Sequence, residues 1–400
     1  MNHYGFNPFI VAVHQNDDGL LYDLLKGDVY QIPANLIKLF EKKIYTPYET
    51  LIQQGTTAGI AEDQIQSFLN EGMEMGIILE FPEPYWRNEI QTPFETGFNS
   101  SEKYIPGEYF NVWLQPSGKC DQNCAFCNSH VNCGCGSTDT EWTEKELETF
   151  LTDMHRYKRM LLKFNVHGGN PFLYPHIERL INGLQTLDPL VIRIVLPATC
   201  HPKLYRDKIR KFKESSKSDV YLSFNLYPNY WDIERVMDGI SSGEEINLLL
   251  DANTKESIDA DALKKRGFRI NKKYLLKQDR SNVDWYKEKF NADFFESLQY
   301  NEFFMRKHLH KCWGCSFAIN SDGELKPCLW SDQVFSQWQD GKVSHILIDD
   351  PDINWFYRDN NLENIDGCNA CIYRFGCKDC RVTAEFLAGK RRAKNPLCDK

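Results

Sequence analysis

The sequence predicts an α/β fold, and three observations carry that prediction. Between residues 109 and about 300, apolar strand-like runs alternate with helix-like segments, the pattern of parallel strands joined by right-handed crossovers. The first 82 residues combine short strand-like runs with three helical segments. The last part carries eight of the 14 cysteines. We therefore expect four parts: a domain at 1–82, a linker at 83–108, the alternating domain at 109–305 and a Cys-rich domain at 306–400.

Composition narrows the class of protein. A chain of 400 residues exceeds one ordinary domain, and 42% hydrophobic residues support sizeable cores. The net charge of -9 argues against nucleic acid as a partner. No run approaches the roughly 18 apolar residues of a membrane span, and the first residues lack a signal-peptide pattern. We expect a cytoplasmic chain without a membrane partner, in which the cysteines serve metal binding or catalysis rather than disulfides.

The first 82 residues predict a winged-helix-like α+β domain. Lys26-Gly27 separates two strand-like runs and indicates a hairpin. Thr46, with Pro47 and Glu49 after it, predicts a capped start for the second helix. A third helix carries Ile65, Phe68, Leu69 and Met73 at helical spacing. The strand-like runs are Phe9–Val13, Leu20–Leu25, Asp28–Ile32 and Ile77–Leu79.

Three cysteines lie on one short loop after the apolar run Tyr109–Leu114. Cys120, Cys124 and Cys127 have the spacing C-x3-C-x2-C. Three thiols on a tight loop hold three corners of a [4Fe–4S] cube and leave the fourth iron open. Structural zinc usually takes four ligands in C-x2-C pairs, so zinc fits this spacing poorly. The alternative is three unligated cysteines.

The central part contains six strand-like runs. In folds of this kind the catalytic and binding residues lie at the carboxyl ends of the strands. The loop His167-Gly168-Gly169-Asn170-Pro171 follows the second run. Two adjacent glycines let backbone carbonyls approach a ligand, although a plain turn is the alternative. Earlier in the chain, between the first two runs, Thr143 and Glu146 predict a capping box at the start of a helix. The runs are Tyr109–Leu114, Leu161–Val166, Leu190–Leu196, Val220–Phe224, Ile246–Leu250 and Phe268–Ile270.

The cluster loop, with Phe126 before its last cysteine, resembles the motif of the radical S-adenosylmethionine (SAM) enzymes. The resemblance implies a partial (β/α)6 TIM-like barrel whose open iron chelates SAM. It implies that Gly168, Gly169 and Asn170 receive the SAM amino group. The family usually has Gly-Gly-Glu-Pro at this place, so Asn170 offers a neutral acceptor instead of a carboxylate. Ser223 corresponds to a position that often contacts the ribose.

The C-terminal cysteines resemble the SPASM extension of that family, which carries two auxiliary [4Fe–4S] clusters. The resemblance assigns Cys312, Cys315, Cys328 and Cys380 to one cluster, and Cys368, Cys371, Cys377 and Cys398 to the other. With the SAM-binding cluster, three [4Fe–4S] clusters are expected. The x2 spacing from Cys377 to Cys380 departs from the commoner x3. Two zinc sites are the alternative, since C-x2-C pairs also suit zinc.

Three cysteines remain outside these sets. Cys133 and Cys135 follow the cluster loop closely and are candidates for a substrate-facing catalytic role. Free thiols are the plainer interpretation for both, and for Cys200. No His or carboxylate is conspicuous as a general base.

The N-terminal order of elements is similar to the precursor-peptide recognition domain of peptide-maturing enzymes. The resemblance implies that a leader peptide adds a strand beside Val29, Tyr30, Gln31 and Ile32 and packs on the third helix, at Ile65 and Phe68. Edge pairing of this kind takes affinity from backbone groups and specificity from side-chain pockets. A DNA-binding or purely structural accessory is the alternative. DNA binding is disfavoured because the third helix carries Glu62, Asp63, Glu71 and Glu74 and no basic residue.

Together the resemblances imply an enzyme that matures a ribosomally made peptide. A 5′-deoxyadenosyl radical would abstract hydrogen from the precursor peptide, and an intramolecular cross-link would form. A thioether is slightly favoured over a carbon–carbon or carbon–oxygen link. Flavodoxin or ferredoxin would supply electrons. The alternatives are oxidation of a protein Cys or Ser, as in sulfatase maturation, and a non-enzymatic iron–sulfur regulator with a winged helix.

Overall fold

The structure is a computed structural model. It describes residues 2–87, 110–121, 130–131, 138–155, 161–197, 205–215, 217–227, 243–254, 259–314, 316–338 and 350–400. Seven residues that the sequence singles out lie outside these described ranges: Cys124, Phe126, Cys127, Cys133, Cys135, Cys200 and Cys315.

The N-terminal part contains two small antiparallel sheets and three helices. One sheet has the order β5-β1-β6 and the other β2-β3-β4. The predicted hairpin around Lys26-Gly27 is confirmed, since β3 and β4 pair from Asp18↔Pro33 to Tyr22↔Val29. The elements are β1 (His3–Phe6), β2 (Ile10–Gln15), β3 (Asp18–Asp23), β4 (Val29–Pro33), α1 (Ala34–Phe40), β5 (Thr46–Pro47), α2 (Tyr48–Thr57), α3 (Glu62–Glu74) and β6 (Ile78–Phe81).

The predicted capping box of the second helix is wrong. Helix α2 begins at Tyr48, its N-cap is Pro47, and no side chain caps it. Thr46 instead belongs to β5 and pairs with Tyr4 of β1. The backbone of Thr46 is used by strand pairing, so the residue is not at the helix boundary. The sequence analysis also missed β1 itself.

Six parallel strands form the central sheet, as predicted. They lie in the order β12-β11-β10-β9-β8-β7, so each strand lies beside the strand that precedes it in the chain. The predicted capping box is present at α4, where Thr143 accepts from the Glu146 amide and Glu146 accepts from the Thr143 amide. The elements are β7 (Phe110–Leu114), α4 (Glu144–Met154), β8 (Leu161–Val166), α5 (Ile177–Thr186), β9 (Val191–Leu196), α6 (Arg206–Ser215), β10 (Asp219–Leu226), β11 (Glu245–Leu250), α7 (Ala260–Lys265) and β12 (Arg269–Tyr274).

The C-terminal part extends the same sheet. Strand β13 pairs parallel with β7, and β14 and β15 follow antiparallel, which gives nine strands in the described part. Strands β13 and β14 form a hairpin before Cys328, with its turn at Gly323. The remaining elements are α8 (Val283–Ala292), α9 (Tyr300–His308), β13 (Ser316–Ile319), β14 (Glu324–Lys326), β15 (Ser336–Gln337), α10 (Pro351–Asp359) and α11 (Arg381–Ala388). None of the described helices is long and apolar enough to cross a membrane.

The two faces of the central sheet differ in polarity. One face carries Val112, Phe164, Ile192 and Leu222, which form one core with residues of α4, α5 and α6. Residues that alternate with these point to the opposite face. That face carries buried polar side chains, which are Asn165, Arg193, Ser223, Asn225, Glu245 and Asn247. Helices cover the apolar face, so the polar face is the inner face of the partial barrel.

The sheet β2-β3-β4 is apolar on both faces. Leu21 and Ile10 pack against the helices of the N-terminal part. Leu20, Tyr22 and Val13 face the other way and form a second core with C-terminal residues. The C-terminal members of that core are Leu298, Phe303, Phe304, Ile372 and Phe375. The N-terminal part is therefore packed onto the C-terminal part through this sheet.

Candidate functional site

Four C-terminal thiols lie within electrostatic range of one another. Burial, together with the charges of Asp379, Cys398 and Cys371, raises the pKa of Cys368 to about 12, although Arg381 opposes this shift. Burial also raises the pKa of Cys371 and of Cys377, and Cys398 adds to both shifts. Among the described residues no three His, Cys, Asp or Glu side chains are close enough together to hold a metal ion. A set of four half-buried thiols still fits a cation chemically, because a bound cation removes the penalty for the thiolate form.

A buried polar network lies beside these thiols. Arg381 and Asp379 form an ion pair, and Asn395 donates to Asp379 at 2.8 Å. The charge of Arg381 interacts with both Cys368 and Cys380, one from each set that the sequence resemblance assigns. Cys328 is buried at the end of the hairpin, whereas Cys312 is exposed. The grouping of Cys312, Cys328 and Cys380 in one site stays a prediction.

Strand β4 is an edge of its sheet within the described residues. Gln31 is exposed, and Val29, Tyr30 and Ile32 are half-buried. Of the two helix positions predicted to contact a leader peptide, Phe68 is half-buried against Phe40, whereas Ile65 is fully buried in the core. Ile65 therefore has no exposed surface for a peptide contact, whereas the predicted contact at Phe68 stays a prediction.

The cluster loop leaves the carboxyl end of β7, and its start is anchored by the neighbouring strands. The amide of Gln115 donates to the carbonyl of Ile319 at 2.9 Å. The amide of His167 donates to the carbonyl of Leu114 at 2.7 Å. Cys120 follows within six residues of β7 and is half-buried. The backbone that presents the first cluster cysteine is thus fixed between β8 and β13.

The glycine loop after β8 touches the cluster loop through backbone atoms. The amide of Asn170 donates to the carbonyl of Lys119 at 2.8 Å. A Cβ at Gly169 would lie 2.1 Å from that carbonyl oxygen, and one at Gly168 would lie 2.8 Å from the carbonyl oxygen of Ser117. Both glycines have positive φ. Only glycine permits this approach, and it places the predicted SAM-binding loop against the predicted cluster loop.

Asn170 is fully buried and joins three segments. Its side-chain amide donates to Asp121 at 3.1 Å and to the Tyr205 hydroxyl at 2.9 Å. Its Oδ1 accepts from the amide of Phe172 at 3.2 Å. A carbonyl oxygen has two lone pairs, so one acceptor position is left at Oδ1. Its predicted contact with SAM stays a prediction.

Ser223 belongs to a buried polar network on the inner face. Its hydroxyl donates to Glu245 at 2.5 Å and accepts from Asn247 at 2.7 Å. Arg193 also donates to Glu245, at 2.9 Å. Burial alone would raise the pKa of Glu245, but Arg193 and the Ser223 hydroxyl outweigh it and hold the pKa below its usual value. Ser223 is thus tied to Glu245, and its ribose contact stays a prediction.

Two buried polar atoms on the inner face have no hydrogen-bond partner among the described residues. They are Oδ1 of Asn165 and Nε of Arg193, and the two residues are direct neighbours across β8 and β9. The amide of Asn165 donates to Asn111 at 2.6 Å, which fixes the direction of its Oδ1. An unsatisfied acceptor beside an unsatisfied donor marks a place where a polar ligand can bind.

Aromatic side chains from two parts of the chain lie next to this pair. The Arg193 guanidinium is 5.0 Å from the centroid of the Trp113 ring. Trp330, two residues after Cys328, packs edge-on against Trp113 at 5.4 Å and against His167 at 5.5 Å. Burial lowers the pKa of His167 to about 3, so its ring is neutral near pH 7. Trp330, from the C-terminal part, therefore lines the inner face next to the start of the glycine loop.

Comparison with known proteins agrees with this geometry. Residues 114–258 match the family model described as the Radical SAM superfamily. That segment is a radical SAM domain. It contains the cluster loop, the glycine loop and most of the polar inner face. No curated protein sequence matches the chain.

Solved structures give weak likenesses. Streptococcus suis SuiB bound to S-adenosylmethionine is similar at 14% identity and a TM-score of 0.44, over 99% of this chain and 100% of that chain. SuiB bound to its precursor peptide SuiA has 12% identity and a TM-score of 0.46 over the same shares. Native anSMEcpe with AdoMet and the Kp18Cys peptide has 14% identity and a TM-score of 0.46, over 72% and 93%. These values are too low to decide the function of this chain.

Most of the polar inner face of the radical SAM domain was not predicted from the sequence. Asn165, Arg193 and Asn247 were read only as members of apolar runs, and Glu245 lay just outside them. A signal exists for the first three, because each stands between apolar neighbours in a buried strand. Alternation of that kind places them together on one face. Trp330 had no comparable signal, since its position depends on how the C-terminal part packs.

Proposed function

We propose that this chain is a radical SAM enzyme that modifies a ribosomally made precursor peptide. The observation that carries the proposal is the backbone contact between the Cys120 loop and the Gly168-Gly169 loop, at the carboxyl ends of β7 and β8. Three thiols on one loop, beside backbone that approaches within hydrogen-bond distance, fit an iron–sulfur cluster with an open iron and a bound SAM. When bound, that pair supplies one-electron chemistry that removes a hydrogen atom from an unactivated carbon.

The residues of the chain have separate tasks in this proposal. Cys120, Cys124 and Cys127 hold the SAM-binding cluster. The carbonyls of the glycine loop orient the SAM amino group, and Asn170 keeps that loop against Asp121. Deep burial of the inner face excludes water from the reacting centre. The two C-terminal sets of four cysteines would hold auxiliary clusters, which would supply an acceptor for an electron from the substrate, and flavodoxin or ferredoxin would be the electron donor of the first cluster.

The unpaired atoms on the inner face favour an amide as the group that is bound there. An amide offers a carbonyl to Arg193 Nε and an N–H to Asn165 Oδ1, which satisfies both atoms at once. A peptide backbone, or an Asn or Gln side chain, has this arrangement. The substrate would then lie below the glycine loop and beside Trp330. The product we propose is an intramolecular cross-link, with a thioether slightly favoured over a carbon–carbon or carbon–oxygen link.

The edge of β4 supports a peptide substrate. Its outer backbone groups are available for strand addition, and we propose the half-buried ring of Phe68 as an apolar contact for the added peptide. Helix α3 exposes Glu62, Asp63, Glu71 and Glu74, which repel phosphate and disfavour DNA as the partner of this domain.

Production of 5′-deoxyadenosine under dithionite tests the activity. Anaerobically purified protein should hold about 12 irons per chain, four for each cluster. Replacing Cys120, Cys124 and Cys127 with Ala should remove about four irons and abolish SAM cleavage. The matched control replaces Cys368, Cys371, Cys377 and Cys398 with Ala. That variant should lose a similar amount of iron and still cleave SAM. Stoichiometric zinc, or SAM cleavage by the triple variant, would refute the proposal.

Peptide recognition is tested by point variants, because removal of the N-terminal part would expose the core that it shares with Phe303 and Phe375. Gln31→Pro removes an amide from the free edge β4. His14→Pro makes the corresponding change on β2, the opposite edge of the sheet, where the amide of His14 also points away from β3 because the residue pair 14/19, like 20/31, alternates with hydrogen-bonded pairs. The probe is a synthetic candidate leader peptide taken from an open reading frame that neighbours the gene, and its binding should weaken in the first variant only. Equal affinity in both variants would contradict strand addition at β4.

A further inference from the structure

Tyr22 connects the N-terminal sheet to the loop that carries two of the four thiols. Its side chain is fully buried, and its hydroxyl donates to the carbonyl of Ile372 at 2.7 Å. Ile372 directly follows Cys371 in the seven-residue loop from Cys371 to Cys377. The hydroxyl thus reaches the backbone between the two cysteines, 350 positions away in sequence.

Three other carbonyls of this loop accept hydrogen bonds from C-terminal groups. Arg374 donates to the carbonyl of Cys371 at 3.0 Å, and Arg306 donates to the carbonyl of Phe375 at 3.0 Å. The amide of Glu296 donates to the carbonyl of Gly376 at 2.9 Å. Tyr22 contributes the corresponding bond at Ile372 from a different part of the chain. The loop that presents Cys371 and Cys377 is therefore fixed from both sides.

The surroundings of Tyr22 hold its ring in place and keep its hydroxyl a donor. The ring packs against Phe303, Phe375 and Phe295, with centroids 5.5, 6.0 and 6.3 Å away. Burial raises the pKa of Tyr22 far above its usual range, and Arg374 offsets this only in part. The hydroxyl is therefore held as a donor to the Ile372 carbonyl by the packing of its ring.

We propose that Tyr22 is a positioning residue of the four-thiol site formed by Cys368, Cys371, Cys377 and Cys398, so that the N-terminal sheet completes this site. The inference rests on the proposed function in one respect only, that these thiols hold a metal centre. Tyr22 pairs with Val29 of β4 in the sheet. Strand β4, which we propose to receive the peptide, is therefore paired directly with the residue whose hydroxyl fixes the loop from Cys371 to Cys377.

The variant Tyr22→Phe tests the inference because it removes the hydroxyl and keeps the ring. The matched control is Tyr45→Phe. Tyr45 is also buried and its hydroxyl also donates to a backbone carbonyl, that of Phe6 at 2.8 Å, within the N-terminal part. A third variant, Phe303→Leu, loosens the packing around Tyr22 and leaves the hydrogen bond. All three are purified anaerobically as holoproteins, and iron release to a chelator is followed over time.

In Tyr22→Phe, about one third of the iron, one cluster of three, should leave roughly fivefold faster, the factor that one hydrogen bond of average strength supplies. The electron paramagnetic resonance signal of one reduced cluster should change with it. Tyr45→Phe and Phe303→Leu should release iron as the wild type does. The inference is overturned if Tyr22→Phe behaves like Tyr45→Phe, or if all iron leaves faster together. Because metal retention is measured, the result stands even if the protein fails to cleave SAM.

Discussion

Gly169→Ala is the substitution for which the structure gives the clearest expected magnitude. The residue has a φ of 37°, where a side chain costs about 1–2 kcal/mol. Its Cβ would lie 2.1 Å from the carbonyl oxygen of Lys119 and 2.5 Å from that of Gly118. Both are backbone atoms that cannot rotate away, so overpacking adds about 1–3 kcal/mol. The expected loss of unfolding free energy is roughly 2–5 kcal/mol.

The same overlap should also separate the glycine loop from the cluster loop and lower SAM cleavage strongly. Gly389→Ala is the matched control, because Gly389 has a φ of 66° and no atom within 4 Å of an added Cβ. It should show the backbone penalty alone, about 1–2 kcal/mol, with SAM cleavage intact. Urea unfolding and 5′-deoxyadenosine production measure the two effects. If both variants lose the same stability and retain the same activity, the contact between the two loops does not exist as described.

Three other substitutions have expected outcomes that urea unfolding can measure. Burial lowers the pKa of Lys163 to about 8 from 10.5, with Arg193 adding to the shift. Only the unfolded chain binds this proton between about pH 8 and 10.5, so the unfolding free energy should rise across that window. Lys163→Met should flatten the rise, and an unchanged slope would refute the assignment. Glu245→Gln leaves Arg193 buried without its counter-charge and should cost about 3–5 kcal/mol, whereas replacing both residues with Met should cost less than that single change. A double variant that loses as much as the two single changes combined would show that they do not interact. Thr143→Ala should cost about 1 kcal/mol through loss of the capping box, while Thr56→Ala, an exposed change in the last turn of α2, should stay within about 0.5 kcal/mol.

The central strands were predictable because parallel strands buried on both sides appear as continuous apolar runs. Leu190–Leu196 and Val220–Phe224 are such runs, and the strands match them within one or two residues. The contact between the cluster loop and the glycine loop followed from a rule of topology, since the carboxyl ends of neighbouring parallel strands meet at one edge of the sheet. The positions of the segments that follow β7 and β8 were therefore predictable without tertiary information.

What the sequence did not reveal depends on contacts between distant segments. Ser316–Ile319 is a short apolar run, and nothing local indicates that it pairs with β7, some 200 residues earlier. Threonine is a common helix-capping residue, but Thr46 belongs to a strand because its backbone pairs with β1. The docking of the N-terminal sheet had an unused signal in Leu20-Leu21-Tyr22. Three successive apolar residues in a strand indicate burial on both faces.

The position of β13 has a consequence for biosynthesis. One side of β7 is completed by residues 316–319, which leave the ribosome after the whole central sheet has been made. The amide of Gln115, at the start of the cluster loop, donates to the carbonyl of Ile319. A nascent chain that has not yet exposed residues 316–319 therefore presents Cys120 on an incompletely anchored loop. Metal loading of this loop is thus expected only after β13 has left the ribosome.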